Sequence, residues 1–312
     1  MTGERGTPST PGPGTRSAGS LAGTDVVLLR TPDRAGPMAA ELRARGAHVR
    51  LLPLIDFQRP ADTEPVSAGL RGLGQGEFDW IILTSATTVQ ALSAAAEPLG
   101  VPFAELCGGT RVAAVGAGTS RALEAAGICV DLMPAQDQSA RGLAALWPAP
   151  GPGRNRIFLP QADIANPFLR TALSGAGWDV LAVPAYETVD YPAPGDLQVS
   201  PRGKTAETDL LTPPDYRAWA SARPEGTGAH AVVVTSPSTA RRFVRGALQP
   251  GTSVLVAIGD PTAAALRDLG HPAAATARHP TPAGIADAVH AAMTALDLHD
   301  VPNPDLEGRE QP

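Results

Sequence analysis

A long internal repeat constrains this chain more than any single motif. DWIILTSATTV (Asp79–Val89) reappears as HAVVVTSPSTA (His230–Ala240), and VAAVGAGTSRALEAAG (Val112–Gly127) as LVAIGDPTAAALRDLG (Leu255–Gly270). SARGL (Ser139–Leu143) answers to TPAGI (Thr281–Ile285). Upstream, AGP (Ala35–Pro37) answers to ANP (Ala165–Pro167), RGAHV (Arg45–Val49) to AGWDV (Ala176–Val180), and Pro53 to Pro184. The chain is therefore two copies of one unit, and 312 residues suit two domains. Each copy begins strand–helix–strand, reaches a Pro-marked crossover, and adds strand–helix–strand–helix.

The strand candidates are short and apolar on both faces, such as Val26–Arg30, Trp80–Leu83, Arg111–Val115, Ala231–Val234 and Ser253–Ile258. That pattern belongs to parallel strands covered on both sides. Helical runs separate them, so the fold class is α/β. Gly46, Gly127, Gly177 and Gly270 each follow a helical run, as C′ glycines do. Two layouts fit the repeat. Each copy folds alone, with a cut near residue 150. Or the chain crosses over at PLIDF (Pro53–Phe57) and returns at PAYET (Pro184–Thr188).

Composition removes several classes. A net charge of -6, with Lys204 as the sole lysine, lacks the basic footprint of a general nucleic-acid binder. No apolar run approaches a membrane span. Cys107 and Cys129 stand alone, and the six His are scattered without metal-ligand spacing. Residues 1–23 have no apolar core of a secretory signal and read as a Pro/Gly/Ser/Thr tail, with a second tail over 297–312. The default compartment is the cytoplasm.

The ordered motifs resemble those of the uroporphyrinogen-III synthase family. They are LLRTP (Leu28–Pro32), DWIILTSA (Asp79–Ala86) with Val89, VGAGT (Val115–Thr119), IFLPQAD (Ile157–Asp163), VPAYET (Val183–Thr188), VTSPST (Val234–Thr239) and AIGDPT (Ala257–Thr262). The series spans nearly all of residues 24–290 in the family's order. The family opening usually reads Thr-Arg-Pro, where this chain has Arg30-Thr31-Pro32.

The resemblance implies two flavodoxin-like parallel-sheet domains joined by a two-stranded linker, with the active site in the cleft. Residues 24–52 with 189–296 would form one domain and 58–182 the other, with 53–57 and 183–188 as linker strands. It implies cyclisation of hydroxymethylbilane, a linear tetrapyrrole, with inversion of ring D and loss of water. It implies no cofactor and no metal, a monomer, a transient encounter with hydroxymethylbilane synthase, and no nucleic-acid or membrane partner.

Such a substrate carries eight carboxylates, so the site must present donors. In open α/β sheets, ligands sit beyond the carboxyl ends of strands, where helix N-termini offer free N–H groups. The turns in question are Thr84–Thr88, Gly116–Thr119, Thr235–Thr239 and Gly259–Thr262. The expected binding residues are Arg30, Thr84, Ser85, Thr87, Gly116, Thr119, Ser236, Ser238, Thr239, Gly259 and Thr262. The plainer reading makes Ser85, Ser236, Thr119 and Thr262 helix N-caps. Tyr186, in the returning linker, is the expected catalytic residue. A phenol stays protonated at neutral pH and can serve as a general acid; its plainer role is packing against Pro53–Phe57. Tyr191 and Tyr216 read as loop residues. The rival functions are a non-catalytic two-lobed binder of a tetrapyrrole or small ligand, and a nucleotide-sugar transferase, which would want a phosphate loop and acidic pocket.

Overall fold

The structure is a computed structural model and describes residues 19–153, 155–199, 209–223, 229–247 and 253–299. The first elements are β1 (Asp25–Leu28), α1 (Pro32–Ala44), β2 (His48–Leu51), β3 (Ile55–Gln58), α2 (Glu64–Gly74), β4 (Trp80–Leu83) and α3 (Ala86–Ala96). Then come α4 (Phe103–Leu106), β5 (Arg111–Ala114), α5 (Ala117–Ala125), α6 (Ala140–Leu146), β6 (Arg156–Ala162), α7 (Phe168–Gly175) and β7 (Asp179–Asp190). The chain continues with α8 (Pro213–Ser221), β8 (His230–Val234), α9 (Pro237–Gly246), β9 (Ser253–Ala257), α10 (Asp260–Asp268), β10 (Ala275–Thr276) and α11 (Pro282–His299). Two compact units divide them: Met1–Leu54 with Gly203–Pro312, and Ile55–Arg202.

The discontinuous unit holds one sheet in the order β10-β9-β8-β1-β2, parallel throughout. Numbered within the unit, this is the doubly wound order 2-1-3-4-5. Its strands alternate between two cores. Val26 and Leu28 pack with Leu42, Val233, Ile285 and Val289, while Val27 and Leu29 pack with Tyr216, Val232, Phe243 and Leu266. Both faces are covered, so the strands read as unbroken apolar runs. Each fully buried Leu or Val contributes about 1.5–3 kcal/mol.

The continuous unit repeats this plan in permuted order. Its sheet runs β3-β7-β6-β4-β5, and a parallel bridge from Ala113 to Leu132 lies beyond β5. Taking β6 and β7 as its first two strands restores the order 2-1-3-4-5. The upstream half of the second sequence copy thus completes this unit, and the downstream half completes the other. One strand breaks the parallel rule: β3 pairs antiparallel with the end of β7, Phe57 facing Thr188. β3 is the first strand of this unit and β7 the last, and the two neighbours run in opposite senses.

The structure revises the expected boundaries. β7 is one strand of 12 residues that includes the returning linker, and it carries residues 189–190 into the continuous unit's sheet. Ala193 N–H donates to Asp56 Oδ2 (2.9 Å) and Val199 N–H to the Phe57 carbonyl (3.0 Å), so residues 191–199 follow. The tail expected over 1–23 ends earlier. Leu21 is fully buried and its N–H donates to the Arg45 carbonyl (2.8 Å), while the Ser20 carbonyl meets His290 Nδ1 (3.2 Å). At the other end α11 continues to His299; the rest of both expected tails, residues 1–18 and 300–312, lies outside the described residues.

Tyr216 is not a loop residue. It lies on α8, fully buried, and its hydroxyl lies 2.8 Å from both His230 Nε2 and Ser253 Oγ, at the amino end of β8 and β9. His230 Nδ1 is buried without a partner. An orphaned lone pair costs less than an orphaned N–H, so Nε2–H donates to the phenol, which passes its own proton to Ser253.

Candidate functional site

The strand order of each sheet turns back at one point: between β1 and β8 in the discontinuous unit, and between β6 and β4 in the continuous one. The carboxyl ends there are where ligands of doubly wound sheets bind. Each candidate residue lies on a turn at the carboxyl end of a strand, or on β7 beside β6.

In the continuous unit, Ser85 follows β4 in extended backbone and caps α3, accepting from Thr88 N–H at 3.1 Å. The Thr88 hydroxyl lies 2.9 Å from Ser85 Oγ, and the Tyr186 hydroxyl 3.3 Å from the same atom. Tyr186 lies opposite Ala162, the last residue of β6, where the ladder shifts register. Its ring meets Phe57 edge-on (centroids 5.2 Å apart), so the packing role coexists with a hydroxyl aimed at Ser85. Asp163 holds the strand: its N–H donates to the Tyr186 carbonyl (3.0 Å) and its Oδ1 accepts from Thr188 N–H (2.9 Å). Thr84 is half-buried and Thr87 buried in the same turn.

The α5 turn differs from expectation. Gly116 is itself the N-cap, and Thr119 is the third helical residue, nearly covered, not a cap. Gln138 Oε1 accepts the Ala117 N–H (3.0 Å) and would sit 3.1 Å from a Cβ at position 116. The glycine therefore makes room for Gln138, which already satisfies one donor of this helix start.

The discontinuous unit repeats the serine cap. Ser236 accepts from Thr239 N–H (3.1 Å), and its hydroxyl lies 2.8 Å from Thr239 Oγ1 and 3.0 Å from Ser238 Oγ. Thr235 Oγ1 donates to the Leu29 carbonyl (2.7 Å), tying the end of β8 to β1. Gly259 caps α10, an added Cβ there meets nothing, and Thr262 is again the buried third residue. Arg30 follows β1, half-buried, its Nε donating to the Arg34 carbonyl (3.0 Å). Burial lowers its pKa, the nearby Arg34 lowers it further, and Asp33 opposes both. Among the described residues no carboxylate forms an ion pair with it.

Three residues outside the expected site set take part in these arrangements: Thr88, Asp163 as a strand buttress, and Gln138. Thr88 is visible in the sequence as the repeat counterpart of Thr239; the other two act through contacts that no spacing encodes. Among the described residues, no three His, Cys, Asp or Glu side chains gather to hold a metal ion, and no helix is long and apolar enough to cross a membrane.

Comparison with known proteins places these features in context. The profile of the family described as uroporphyrinogen-III synthase HemD matches residues 36–287. A uroporphyrinogen-III synthase of Synechococcus elongatus is 29% identical over 169 residues, covering 54% of this chain and 62% of the cyanobacterial protein. The chain thus spans less than two thirds of that relative. A chloroplastic uroporphyrinogen-III synthase of rice, Oryza sativa subsp. japonica, is 25% identical over 229 residues, covering 70% of this chain and 72% of the rice protein. Among solved structures, a mutant uroporphyrinogen III synthase of the extremely thermophilic bacterium Thermus thermophilus shares the fold with a TM-score of 0.59, over 87% of this chain and 99% of that one, at 20% identity.

Proposed function

We propose that this chain, which belongs to the uroporphyrinogen-III synthase family, closes hydroxymethylbilane to uroporphyrinogen III with inversion of ring D and loss of water. The observation that carries the proposal is the Tyr186 phenol, held 3.3 Å from the cap serine of α3 at the carboxyl edge of its sheet.

The chemistry asks for a proton and for control of conformation. Ring A pushes out the hydroxyl of its hydroxymethyl group, and Tyr186 protonates that oxygen as the C–O bond breaks, so water leaves. The substituted α-carbon of ring D then attacks the resulting cationic azafulvene and forms a spiro intermediate, which leads to the inverted ring. Holding the chain for that attack is a matter of positioning and electrostatics. The serine-capped helix starts and Arg30 supply donors for acetate and propionate groups. On this reading the enzyme is a carbon–oxygen lyase that works as a cytoplasmic monomer and takes its labile substrate from hydroxymethylbilane synthase. It needs no cofactor.

The test generates hydroxymethylbilane in situ, oxidises the products and separates the isomers. The wild type should yield isomer III. Tyr186→Phe keeps the ring on Phe57 and should slow isomer III formation within the range of about 10²–10⁴-fold typical of a general acid. Wild type giving isomer I alone would overturn the enzyme assignment. An unaltered Tyr186→Phe rate would overturn the role of the phenol.

A further inference from the structure

The two units share a serine cap with a threonine three residues on, Ser85 with Thr88 and Ser236 with Thr239. They differ in one respect: the Tyr186 phenol approaches the cap of α3, and among the described residues no tyrosine is placed at the cap of α9. Resting on the reading of Tyr186 as the acid, we propose that Thr88 is a positioning residue whose hydroxyl sets the direction of the chain Thr88–Ser85–Tyr186 and so leaves the phenolic proton free for the substrate.

The argument is a count of protons and lone pairs. Ser85 Oγ offers one proton and two lone pairs. One lone pair is taken by Thr88 N–H. Thr88 is fully buried, and Ser85 Oγ is the partner of its hydroxyl. A buried hydroxyl proton without an acceptor costs more than an unfilled lone pair, so Thr88 O–H donates to Ser85 and takes the second lone pair. Ser85 then has only its proton to offer, which goes to the phenolic oxygen of Tyr186. The Tyr186 proton has no acceptor in the relay and points away from Ser85. Without the Thr88 hydroxyl, Ser85 regains a lone pair, and Tyr186 can turn its proton inward and withhold it. Thr88 itself touches no reacting atom.

Thr88→Val preserves shape and the backbone N–H to Ser85. It should lower kcat for isomer III by about threefold to tenfold, the range a single neutral hydrogen bond supplies, with KM little changed. Thr88→Ser should restore the rate, and Thr88→Ala, which also lacks the hydroxyl but cannot overpack, should lose rate as Thr88→Val does. In a Tyr186→Phe background, Thr88→Val should add no further loss, because there is no phenolic proton left to direct. The proposal is overturned if Thr88→Val and Thr88→Ala turn over like wild type while Tyr186→Phe is impaired. It is equally overturned if Thr88→Val slows the Tyr186→Phe enzyme as much as the wild type, since the threonine would then be merely structural. If Tyr186→Phe alone is unimpaired, the underlying reading of Tyr186 fails, and this inference fails with it.

Discussion

Arg30 carries a positive charge into a half-buried position, where among the described residues the Arg34 carbonyl accepts a hydrogen bond from it. Burial and Arg34 both work against that charge, and Asp33 only partly offsets them. An incoming carboxylate would relieve the imbalance in a way water does not. Arg30→Gln should therefore raise KM for hydroxymethylbilane by about tenfold or more, as loss of a charged hydrogen bond of roughly 1.5–3 kcal/mol implies, with kcat nearly unchanged in steady-state assays. Ser236→Ala should raise KM less, because the backbone N–H groups of the same turn remain. The sequence shows Arg30, but that no carboxylate among the described residues pairs with it is a matter of packing. The same holds for Ser85 and Tyr186, which lie 101 residues apart and meet only through β6 and β7. Ser85 and Ser236 are legible as caps because an N-cap is a local device: a serine, extended backbone, and an N–H three residues on.

At the scale of single elements, two glycines show the repeat at work. Gly142 is the third residue of α6, and a Cβ there would lie 1.9 Å from the Asp137 carbonyl oxygen; at Gly284 on α11 it would lie 2.5 Å from the His279 carbonyl oxygen. In each case the loop before the helix folds back onto the first turn. Gly142→Ala should destabilise the protein by about 1–3 kcal/mol, the usual cost of overpacking, measured as a lower denaturant midpoint with an unchanged slope. Helix α8 is hard to see in the sequence because Pro213 and Pro214 read as breakers. Thr212 and Asp215 nonetheless form a capping box with proline in the first turn, a local signal present in the sequence.

The amino end of β8 carries a second consequence. His230 is completely buried, and burial, with the charge of Arg223, lowers its pKa to about 4, Asp25 opposing. The unfolded chain takes up this proton near pH 6.5, while the folded unit resists it down to about 4. The stability contribution is therefore complete above pH 6.5 and is lost as pH falls from 6.5 towards 4. The loss is on the order of 3 kcal/mol. Thermal midpoints of wild type and His230→Gln between pH 7.5 and 4.5 should converge on acidification, the wild type losing more. Parallel curves would show that His230 does not titrate on unfolding.

At the scale of the molecule, the repeat makes the fold class legible and leaves the domain partition open, because both layouts use the same strands and turns. Pairing decides it. β1 lies beside β8, and β6 beside β4, so each sheet is assembled from both sequence copies. The entry and exit strands read as a bare linker in the sequence because Pro53 and Pro184 mark the crossovers. The hydrogen bonds of Ala193 and Val199 that draw residues 191–199 into the continuous unit have no counterpart in composition.

That partition imposes an order on the birth of the protein. The ribosome delivers β1 and β2 first, yet the strand that pairs with β1 on its other side, β8, begins at His230. At about 5–20 residues per second, the early strand pair waits on the order of ten seconds or more while residues 55–202 are made. Those residues include every strand of their own sheet, so they can close as a unit during the wait. Nascent chains arrested once residues 1–202 are clear of the exit tunnel should resist proteolysis over 55–202 and be cut readily over 19–54. Equal protection of both stretches would mean that the early segment finds shelter elsewhere. In the interval the apolar faces of β1 and α1 stay open, and synonymous codons that slow translation between residues 203 and 257 should lower the yield of native protein without touching its final stability.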